Sequence, residues 1–304
     1  MGGQPGVGAT FRQCAIAHVT RSLDKFGLPA LNRSLTIVLG LNERHAMPLR
    51  IGIAGISGRM GLLLAEETLA AGATLAGGTS RAKPTKPLPA DAELFTDIAT
   101  LASVSDVLVD FTTAATAQRH ATVLATLGTP WVLGTSGLSE TDEAAVADAA
   151  HHIPVVYAAN FSPGVTLVLS VAERMAATLP ADSYDAEILE MHHRQKVDAP
   201  SGTAIGIGRA VARGRGITLS DAMESGRHGH TGPRKPGAIG FAALRGGQVV
   251  GEHTLLFASA TEHIALTHRA FDRRSFATGA IRAALWVSGR PPGLYGMTDV
   301  LGLA

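Results

Sequence analysis

One short stretch of this chain gathers groups that move protons and bind anions: EMHHRQKVDAPSGTA, residues 190–204. An imidazole gives or takes a proton near neutral pH, and a lysine ammonium pairs with a carboxylate or polarises a leaving group. His192 and Lys196 are four positions apart, so one helical turn would place both side chains on one face. The spacing therefore predicts that His192 is a proton donor and that Lys196 is its partner.

The same stretch continues into a predicted anion-binding turn. Pro200 fixes the turn, and Gly202 and Thr203 can present free backbone amides at the start of a helix. His193 adds a second imidazole beside them. A solvated basic loop would explain a lone His-His pair. It does not explain His-His-x-x-Lys followed by Asp-x-Pro-Ser-Gly-Thr, so we expect a carboxylate-binding site beside the proton donor.

A glycine turn supplies the second chemical signal. GISGRMG, Gly55 to Gly61, lies between an apolar strand pattern and a helical pattern. Glycines there let the backbone approach a pyrophosphate, whose charge meets the free amides of the helix start. Ile56-Ser57 replaces the middle glycine of the usual G-x-G-x-x-G, and such a turn alone can be an ordinary loop. The flanking strand and helix favour a dinucleotide site, with Arg59 adding positive charge.

The end of the predicted second strand, GGTSRAKP, indicates which nucleotide binds. An acid at this place holds the ribose hydroxyls of NAD, whereas an arginine accommodates a 2′-phosphate. Ser80 and Arg81 occupy it, and no Asp or Glu is present. We predict a preference for NADPH over NADH; the alternative is that Arg81 is a solvated loop charge.

Two further strand ends and a hinge segment face the same predicted crevice, where ligands bind in open α/β sheets. They are DFTTAAT (110–116), GTSG (134–137) and AANFSPGV (158–165). Each segment alone has the residues of an ordinary turn. Together they outline a nicotinamide site.

The elements that position these motifs predict an α/β protein. Short apolar strands alternate with helices, which favours a Rossmann-like doubly wound parallel sheet. After Pro163, alternating strands with glycine-rich breaks favour an α+β substrate-binding domain whose mostly antiparallel sheet is open on one face. The expected boundaries are 47–163 with 273–304 for the dinucleotide-binding domain and 164–272 for the second domain.

Residues 1–46 differ from the rest, because they lack a clear period and carry arginines with few acids. That composition is typical of a targeting peptide. MPLRIGIAG at Met47, however, begins a natural first strand, which points to an upstream start codon. We favour the second interpretation and expect an extension that is disordered or a mis-assigned start.

The composition argues against several classes of function. A net charge of +1 argues against a nucleic-acid partner or a polybasic membrane patch, and no apolar run reaches the length of a bilayer span. The single cysteine, Cys14, excludes a disulfide framework and fits a reducing, cytoplasmic compartment. The later histidines lack the spacing of a metal site, so no metal is expected: His228, His230, His253, His263 and His268.

These motifs resemble the 4-hydroxy-tetrahydrodipicolinate reductase (dihydrodipicolinate reductase) family of the diaminopimelate route to lysine. The landmarks run in family order from Leu49 to the C-terminus: GISGRMG, DFT, GTSG, AANFSPGV, EMHHRQKVDAPSGTA, GHTGPRKPGAIGFAALRGGQVVGEHT and RAALW. The histidine-lysine stretch is the most specific of them. The resemblance implies an NAD(P)H-dependent oxidoreductase that converts 4-hydroxy-tetrahydrodipicolinate to tetrahydrodipicolinate with loss of water.

The resemblance also implies roles for the site residues. His192 is the general acid, Lys196 assists proton supply, and His193 with the Gly202 and Thr203 amides holds a substrate carboxylate. The implied nucleotide contacts are Gly55, Ile56, Ser57, Gly58, Arg59, Met60, Arg81, Gly134, Thr135, Ser136, Ala158, Ala159, Asn160 and Phe161. Family members are usually homotetramers joined through the second sheet, so residues 164–272 are also expected to form the tetramer. Family members often carry an acid where this chain has Ser80, which puts strong NADH use in doubt.

Two alternatives remain. One is a related Rossmann-type imine or amino-acid oxidoreductase acting on another substrate, which would be marked by loss of the anion-binding turn. The other is a nucleotide-sensing regulator without chemistry. That reading requires a DNA-binding module that the sequence does not show, and it leaves His192 and Lys196 without a role.

Overall fold

The structure, a computed structural model, describes residues 47–82, 84, 87–89 and 92–303. The predictions for residues 1–46, including Cys14, concern residues outside that part of the chain. Two sheets with their covering helices make up the described fold. Among the described residues, no helix combines the length and the hydropathy that a bilayer crossing requires.

The first sheet contains seven strands, and every pairing in it is parallel. In chain order they are β1 (Arg50–Ala54), β2 (Thr74–Thr79), β3 (Leu94–Phe95), β4 (Val107–Asp110), β5 (Trp131–Leu133), β6 (Pro154–Tyr157) and, near the end of the chain, β12 (Gly293–Tyr295). Their spatial order is β12-β6-β5-β4-β1-β2-β3. The order reverses between β1 and β4, so the carboxyl ends of these two strands flank the crevice in which such sheets bind ligands.

Helices cover both faces of this sheet. They are α1 (Arg59–Ala70), α2 (Ile98–Ser103), α3 (Ala117–Leu127), α4 (Glu140–Ala149), α8 (Arg274–Val287) and α9 (Met297–Leu301). Neighbouring strand residues enter opposite cores: Ile53 and Val109 belong to one buried cluster, and Ala54 and Leu108 belong to the other. Strands buried on both faces are continuously apolar, which is the pattern that predicted them. Ser139 begins α4 with a capping box.

The second sheet is mixed. Its strands are β7 (Asp185–His192), β8 (Met223–Ser225), β9 (Ile239–Arg245), β10 (Gly251–Ala258) and β11 (His263–Ala270), in the order β11-β10-β7-β9-β8. The three longest strands, β7, β10 and β11, pair antiparallel, while β9 runs parallel to β7 and β8. The predicted fold class, a Rossmann-like sheet with a second, mostly antiparallel sheet, is therefore confirmed.

One face of the second sheet is covered and the other is open. Three helices accompany this sheet: α5 (Pro163–Thr178), α6 (Gly202–Gly214) and α7 (Leu219–Ala222). Ile188, Phe241 and Phe257 pack in a buried cluster with residues of α5 and α6. On the opposite face Leu189 and Leu244 are 44% and 48% exposed. The division into domains at 47–163 with 273–304 and at 164–272 stays a prediction.

Candidate active site

Strand alternation sets the position of the predicted proton donor. Along β7 every second residue is buried: Ala186, Ile188, Glu190 and His192. The aliphatic members anchor that face of the strand in the core. Glu190 is therefore only 1% exposed, and His192 ends the strand at 9% exposure.

The structure has no helical turn between His192 and Lys196. β7 continues through His192, and the chain then forms a tight turn in which the Lys196 amide donates to the His193 carbonyl at 3.1 Å. Backbone groups distant in sequence hold this turn: the His193 amide donates to Val249 O at 2.8 Å, and the Arg194 amide to Gly247 O at 3.3 Å. These bonds to the loop between β9 and β10 outweigh any local helical preference.

A buried carboxylate holds the His192 ring. His192 Nδ1 lies 2.5 Å from Glu190 Oε2, and Arg245 donates to both oxygens of Glu190 at 2.9 and 2.8 Å. Burial alone would raise the pKa of Glu190. The hydrogen bonds from Arg245 and His192 outweigh that effect and hold its pKa below the ordinary value, so the group is a carboxylate at neutral pH.

A second buried histidine stands next to this pair. The rings of His253 and His192 are 5.1 Å apart in an edge-to-face arrangement, and His253 Nε2 lies 2.9 Å from Ser201 Oγ. Burial, reinforced by the neighbouring His192, lowers the pKa of His253 to about 4. His253 is thus uncharged at neutral pH. It packs beneath the start of α6 as a neutral hydrogen-bonding group.

Lys196 is paired within its own loop. Its Nζ lies 2.8 Å from each carboxylate oxygen of Asp198. The Lys196 side chain is 19% exposed and that of Asp198 is 58% exposed. The hydrogen bond from Lys196 lowers the pKa of Asp198 despite an opposing effect of burial. The ammonium therefore faces a carboxylate that an incoming anion can replace.

The predicted anion-binding turn forms the start of α6. Ser201 is the N-cap, and its Oγ accepts from the Ala204 amide at 3.2 Å. Gly202 and Thr203 are the first residues of the helix, where backbone amides lack partners within the helix. A Cβ built on Gly202 meets no atom within 4 Å, so the space beside it is open. His193 is half-buried, and its Nδ1 has no hydrogen-bond partner among the described residues.

The hinge segment touches this turn directly. Asn160 Nδ2 donates to Thr203 Oγ1 at 3.3 Å, while Asn160 Oδ1 accepts from the Ser162 amide at 2.8 Å. Asn160 was predicted at the nucleotide opening. The structure brings it to the predicted carboxylate site, and so links the two groups of predicted residues.

The glycine turn after β1 is shaped for close approach of a phosphate. Gly55 has φ +80°, which favours glycine, and Gly58 begins α1 without a side-chain cap. A Cβ on Gly61 would clash with the Gly55 carbonyl oxygen and lie 2.6 Å from Ile56 Cα. The turn therefore packs directly on α1 and leaves the first helical amides uncapped. These features fit the pyrophosphate of a dinucleotide.

Ser80, the predicted specificity position, lies against this turn. Ser57 Oγ and Ser80 Oγ are 2.5 Å apart, so the end of β2 touches the glycine turn through two hydroxyls. Arg81 follows and is exposed. Hydroxyls and a nearby guanidinium can donate hydrogen bonds, and a 2′-phosphate would accept them.

The other predicted nucleotide residues follow β5 and β6. A Cβ on Gly134 would enter the ring of Phe111, and that ring lies 5.4 Å from the ring of Phe161. Thr135 is buried and Ser136 is exposed, both directly after β5. Ala158 and Ala159 follow β6 in the same way. Phe111, which follows β4, and Phe161, which follows β6, therefore pack with their ring planes tilted by 55°.

Sequence reasoning missed four residues of this site: Glu190, Ser201, Arg245 and His253. A signal was present for Glu190, because an acid on the core face of an alternating strand must be paired. A signal was present for Ser201 too, because serine is a preferred N-cap residue. Arg245 and His253 reach the site through the pairing of β7 with β9 and β10, which no local pattern encodes. Among the described residues no group of histidine, cysteine and acidic side chains could hold a metal ion, and the absence of a metal stays a prediction.

Comparison with known proteins gives consistent relatives. Residues 49–161 match the model for the N-terminus of dihydrodipicolinate reductase, and residues 164–301 match the model for its C-terminus. The chain is 66% identical over 255 residues to 4-hydroxy-tetrahydrodipicolinate reductase of Granulibacter bethesdensis, covering 84% of this chain and 97% of the relative. It is 63% identical to the reductase of the same name from Acidiphilium cryptum, covering 84% and 98%.

A solved structure supports the fold. The dipicolinate-bound dihydrodipicolinate reductase from Paenisporosarcina sp. superimposes with a TM-score of 0.69 at 24% identity. The match covers 83% of this chain and 99% of that one. The two-sheet architecture is therefore shared along nearly the whole of that relative.

Proposed function

We infer the function from the premise that the chain belongs to the dihydrodipicolinate reductase family. It is an NAD(P)H-dependent oxidoreductase that reduces 4-hydroxy-tetrahydrodipicolinate to tetrahydrodipicolinate with loss of water. This reaction belongs to lysine biosynthesis through diaminopimelate. When bound, the reduced nicotinamide supplies the hydride, and the protein must supply a proton and hold a dicarboxylate.

We assign the proton to His192. Its Nδ1 is engaged by Glu190, so Nε2 is the nitrogen that can exchange a proton with substrate. We assign to Lys196, which is paired with Asp198 in the same loop, the assisting role in proton supply. A substrate carboxylate that reaches Lys196 replaces one anionic partner with another, which costs little electrostatic energy.

We assign the carboxylate site to the start of α6. The Gly202 and Thr203 amides point from a helix N-terminus, which favours an anion. His193, with an unpartnered buried Nδ1 among the described residues, adds a donor. The relative from Paenisporosarcina binds dipicolinate, a planar dicarboxylate. We propose that dipicolinate also binds this chain at His193, Gly202 and Thr203.

NADPH is the proposed preferred cofactor, with NADH as a weaker substitute. Support comes from the Ser57–Ser80 contact and from the exposed Arg81 that follows it. An acid at position 80 would repel a 2′-phosphate, and this chain has none there. The phosphates are assigned to the glycine turn, residues 55–60, and the nicotinamide to residues 134–136 and 158–161.

We further propose a homotetramer, assembled through the open face of the second sheet, and a cytoplasmic location. Leu189 and Leu244, on adjacent strands of that face, are exposed apolar side chains that a second copy would cover. Sedimentation of the purified protein tests the assembly, because a monomer at micromolar concentration contradicts it.

The observation that best supports the proposed function is that His192, Lys196 and the open start of α6 lie in one segment of the chain. The test follows NADPH oxidation with freshly made product of the preceding synthase, with NADH in parallel. We expect turnover with both cofactors and a higher kcat/KM with NADPH. A folded protein that binds NADPH and leaves this substrate untouched contradicts the proposal and favours a related imine or amino-acid oxidoreductase.

A further inference from the structure

Glu190 is fully occupied as an acceptor. Its Oε1 accepts from Arg245 Nη2 at 2.8 Å and from the Ser201 amide at 3.1 Å. Its Oε2 accepts from Arg245 Nη1 at 2.9 Å and faces His192 Nδ1 at 2.5 Å. A carboxylate has about four lone-pair sites, and here each has a donor. With 1% exposure, no water replaces any of these partners.

This arrangement fixes which nitrogen of His192 carries a hydrogen. An ionised carboxylate can only accept, so His192 Nδ1 must donate and keeps its hydrogen. The proton given to substrate is a second one, which the imidazolium carries on Nε2. The free nitrogen is Nε2, which lies towards Gly251: a Cβ built on Gly251 would stand 3.0 Å from it. Any residue larger than glycine there would press on the nitrogen that exchanges protons.

Arg245 determines where the proton between His192 and Glu190 resides. A buried carboxylate is costly and, with only an imidazolium beside it, would take the proton and become neutral. The two parallel bonds from Arg245 favour the ionised form of Glu190, and charge-assisted pairs of this kind are strong. The proton therefore stays on the imidazole.

Arg245 also holds the loop that carries Lys196. Its Nη2 donates to the Asp198 carbonyl at 2.6 Å, and Arg245 lies directly opposite His192 in the pairing of β9 with β7. Glu190 in turn receives the Ser201 amide at the start of α6. One ion pair thus touches the proton donor, the lysine loop and the first residue of the anion-binding turn.

We propose that Glu190 and Arg245 are a positioning pair for the reaction: they fix the tautomer of His192, keep its proton on the ring and hold the loop of Lys196 against β7. The pair contacts no substrate atom itself. The inference rests on the proposed function, because it requires His192 to be the proton donor.

Glu190→Gln is the most informative variant. Glutamine offers one acceptor oxygen, and the Ser201 amide and Arg245 Nη2 both require it at the position of Oε1. The amide NH2 then faces His192 Nδ1, which must accept, so the ring is neutral with its one hydrogen on Nε2 and the second proton is lost. We expect kcat to fall about 100-fold, the usual scale of general acid–base catalysis, with the Kd for NADPH unchanged.

Nitrogen-15 NMR of the histidine rings supplies a readout that a merely structural role would not move. In the wild type the His192 signals should show a protonated Nδ1. In Glu190→Gln they should show the opposite neutral tautomer. Arg245→Met should lower kcat as well, and Arg245→Lys should restore part of it. The double variant, Glu190→Gln with Arg245→Met, should have a kcat only slightly below that of Glu190→Gln alone, because both changes act on one unit.

Glu187→Gln is the matched control. Glu187 lies on the same strand, three residues away and on the opposite face, and it also pairs with arginines, Arg227 and Arg234. Its loss removes a Glu–Arg contact without touching His192. We expect wild-type kcat and tautomer.

The outcomes separate the two proposals. If His192→Gln abolishes turnover while Glu190→Gln keeps wild-type kcat and tautomer, the positioning pair is refuted and the proposed function stands. If His192→Gln itself keeps turnover, the assignment of the proton donor has failed. Should Glu190→Gln not fold, the Arg245 variants decide: equal kcat for wild type, Arg245→Lys and Arg245→Met overturns the inference.

Discussion

Lys196 Nζ lies 2.8 Å from both carboxylate oxygens of Asp198, two residues further along the same loop. The ammonium is therefore held in place by a carboxylate that is itself mostly exposed. An exposed ion pair stabilises a fold by less than about 1 kcal/mol, so this contact serves mainly to place the lysine.

Asp198→Asn tests that placement. The variant removes the charge that holds Lys196, and we expect kcat/KM to fall by roughly tenfold, the effect of about 1.4 kcal/mol, with the thermal midpoint within a few degrees of wild type. Glu173→Gln is the control, since Glu173 makes a similar exposed pair with Arg213 elsewhere. Equal kcat/KM for wild type and Asp198→Asn would show that the pair has no part in catalysis.

The glycine turn gives a prediction on cofactor binding. Gly61→Ala forces a methyl group against the Gly55 carbonyl and must displace the turn. We expect the Kd for NADPH to rise at least tenfold. Gly206→Ala is the control, because its Cβ would meet Leu169 at an ordinary 3.5 Å in the interior of α6. That change should leave NADPH binding intact and stabilise the protein by up to about 1 kcal/mol. Tryptophan or NADPH fluorescence titration measures both constants.

Cofactor preference is expected to follow position 80. Ser80→Glu places a carboxylate where a 2′-phosphate would bind, so the ratio of kcat/KM for NADPH over NADH should fall below that of the wild type. Arg81→Ala should lower kcat/KM for NADPH and leave that for NADH nearly unchanged. A wild type that uses both cofactors equally, with neither variant changing the ratio, contradicts this assignment.

His253 predicts a change of stability with pH. Burial lowers its pKa from the ordinary 6.5 to about 4, so the unfolded chain binds a proton at higher pH than the folded one does. The stability from neutral His253 is complete above pH 6.5 and is lost as the pH falls from there towards 4. Between about pH 7.5 and pH 5 this site should cost about 2 kcal/mol of unfolding free energy.

His253→Gln keeps a polar group beside Ser201 and cannot be protonated. Its unfolding free energy should fall less between those two pH values than that of the wild type, when both are measured by urea unfolding at one protein concentration. Parallel losses in the two proteins would mean that His253 does not titrate as described.

Much of this fold follows from local patterns. β7 was predicted because one face of it is buried, and β1 and β4 because both of their faces are. β3 and β12 have two and three residues, too few for any period to show. A helical turn between His192 and Lys196 does not form for a different reason: the amides of His193 and Arg194 bond to Val249 and Gly247, more than fifty residues away, and hold a tight turn.

The candidate site also has a part that the local sequence indicates and a part that it does not. His192, Lys196 and the start of α6 are contiguous, so their types and spacing were readable. Glu190 and Arg245 meet only because β9 pairs with β7 in parallel, after a crossover that contains α6 and α7. Such a register depends on the whole fold. The sequence therefore indicated the reacting groups but not the groups that position them.

The most direct test of the account is the turnover number of His192→Gln with NADPH and 4-hydroxy-tetrahydrodipicolinate. His151→Gln, which changes an exposed histidine just after α4, is the control. We expect His192→Gln to bind NADPH and dipicolinate as the wild type does and to lose kcat by a factor of about 100 or more, as loss of a general acid requires. A His192→Gln enzyme with wild-type kcat would contradict the assignment of the proton donor and, with it, the mechanism built on this site.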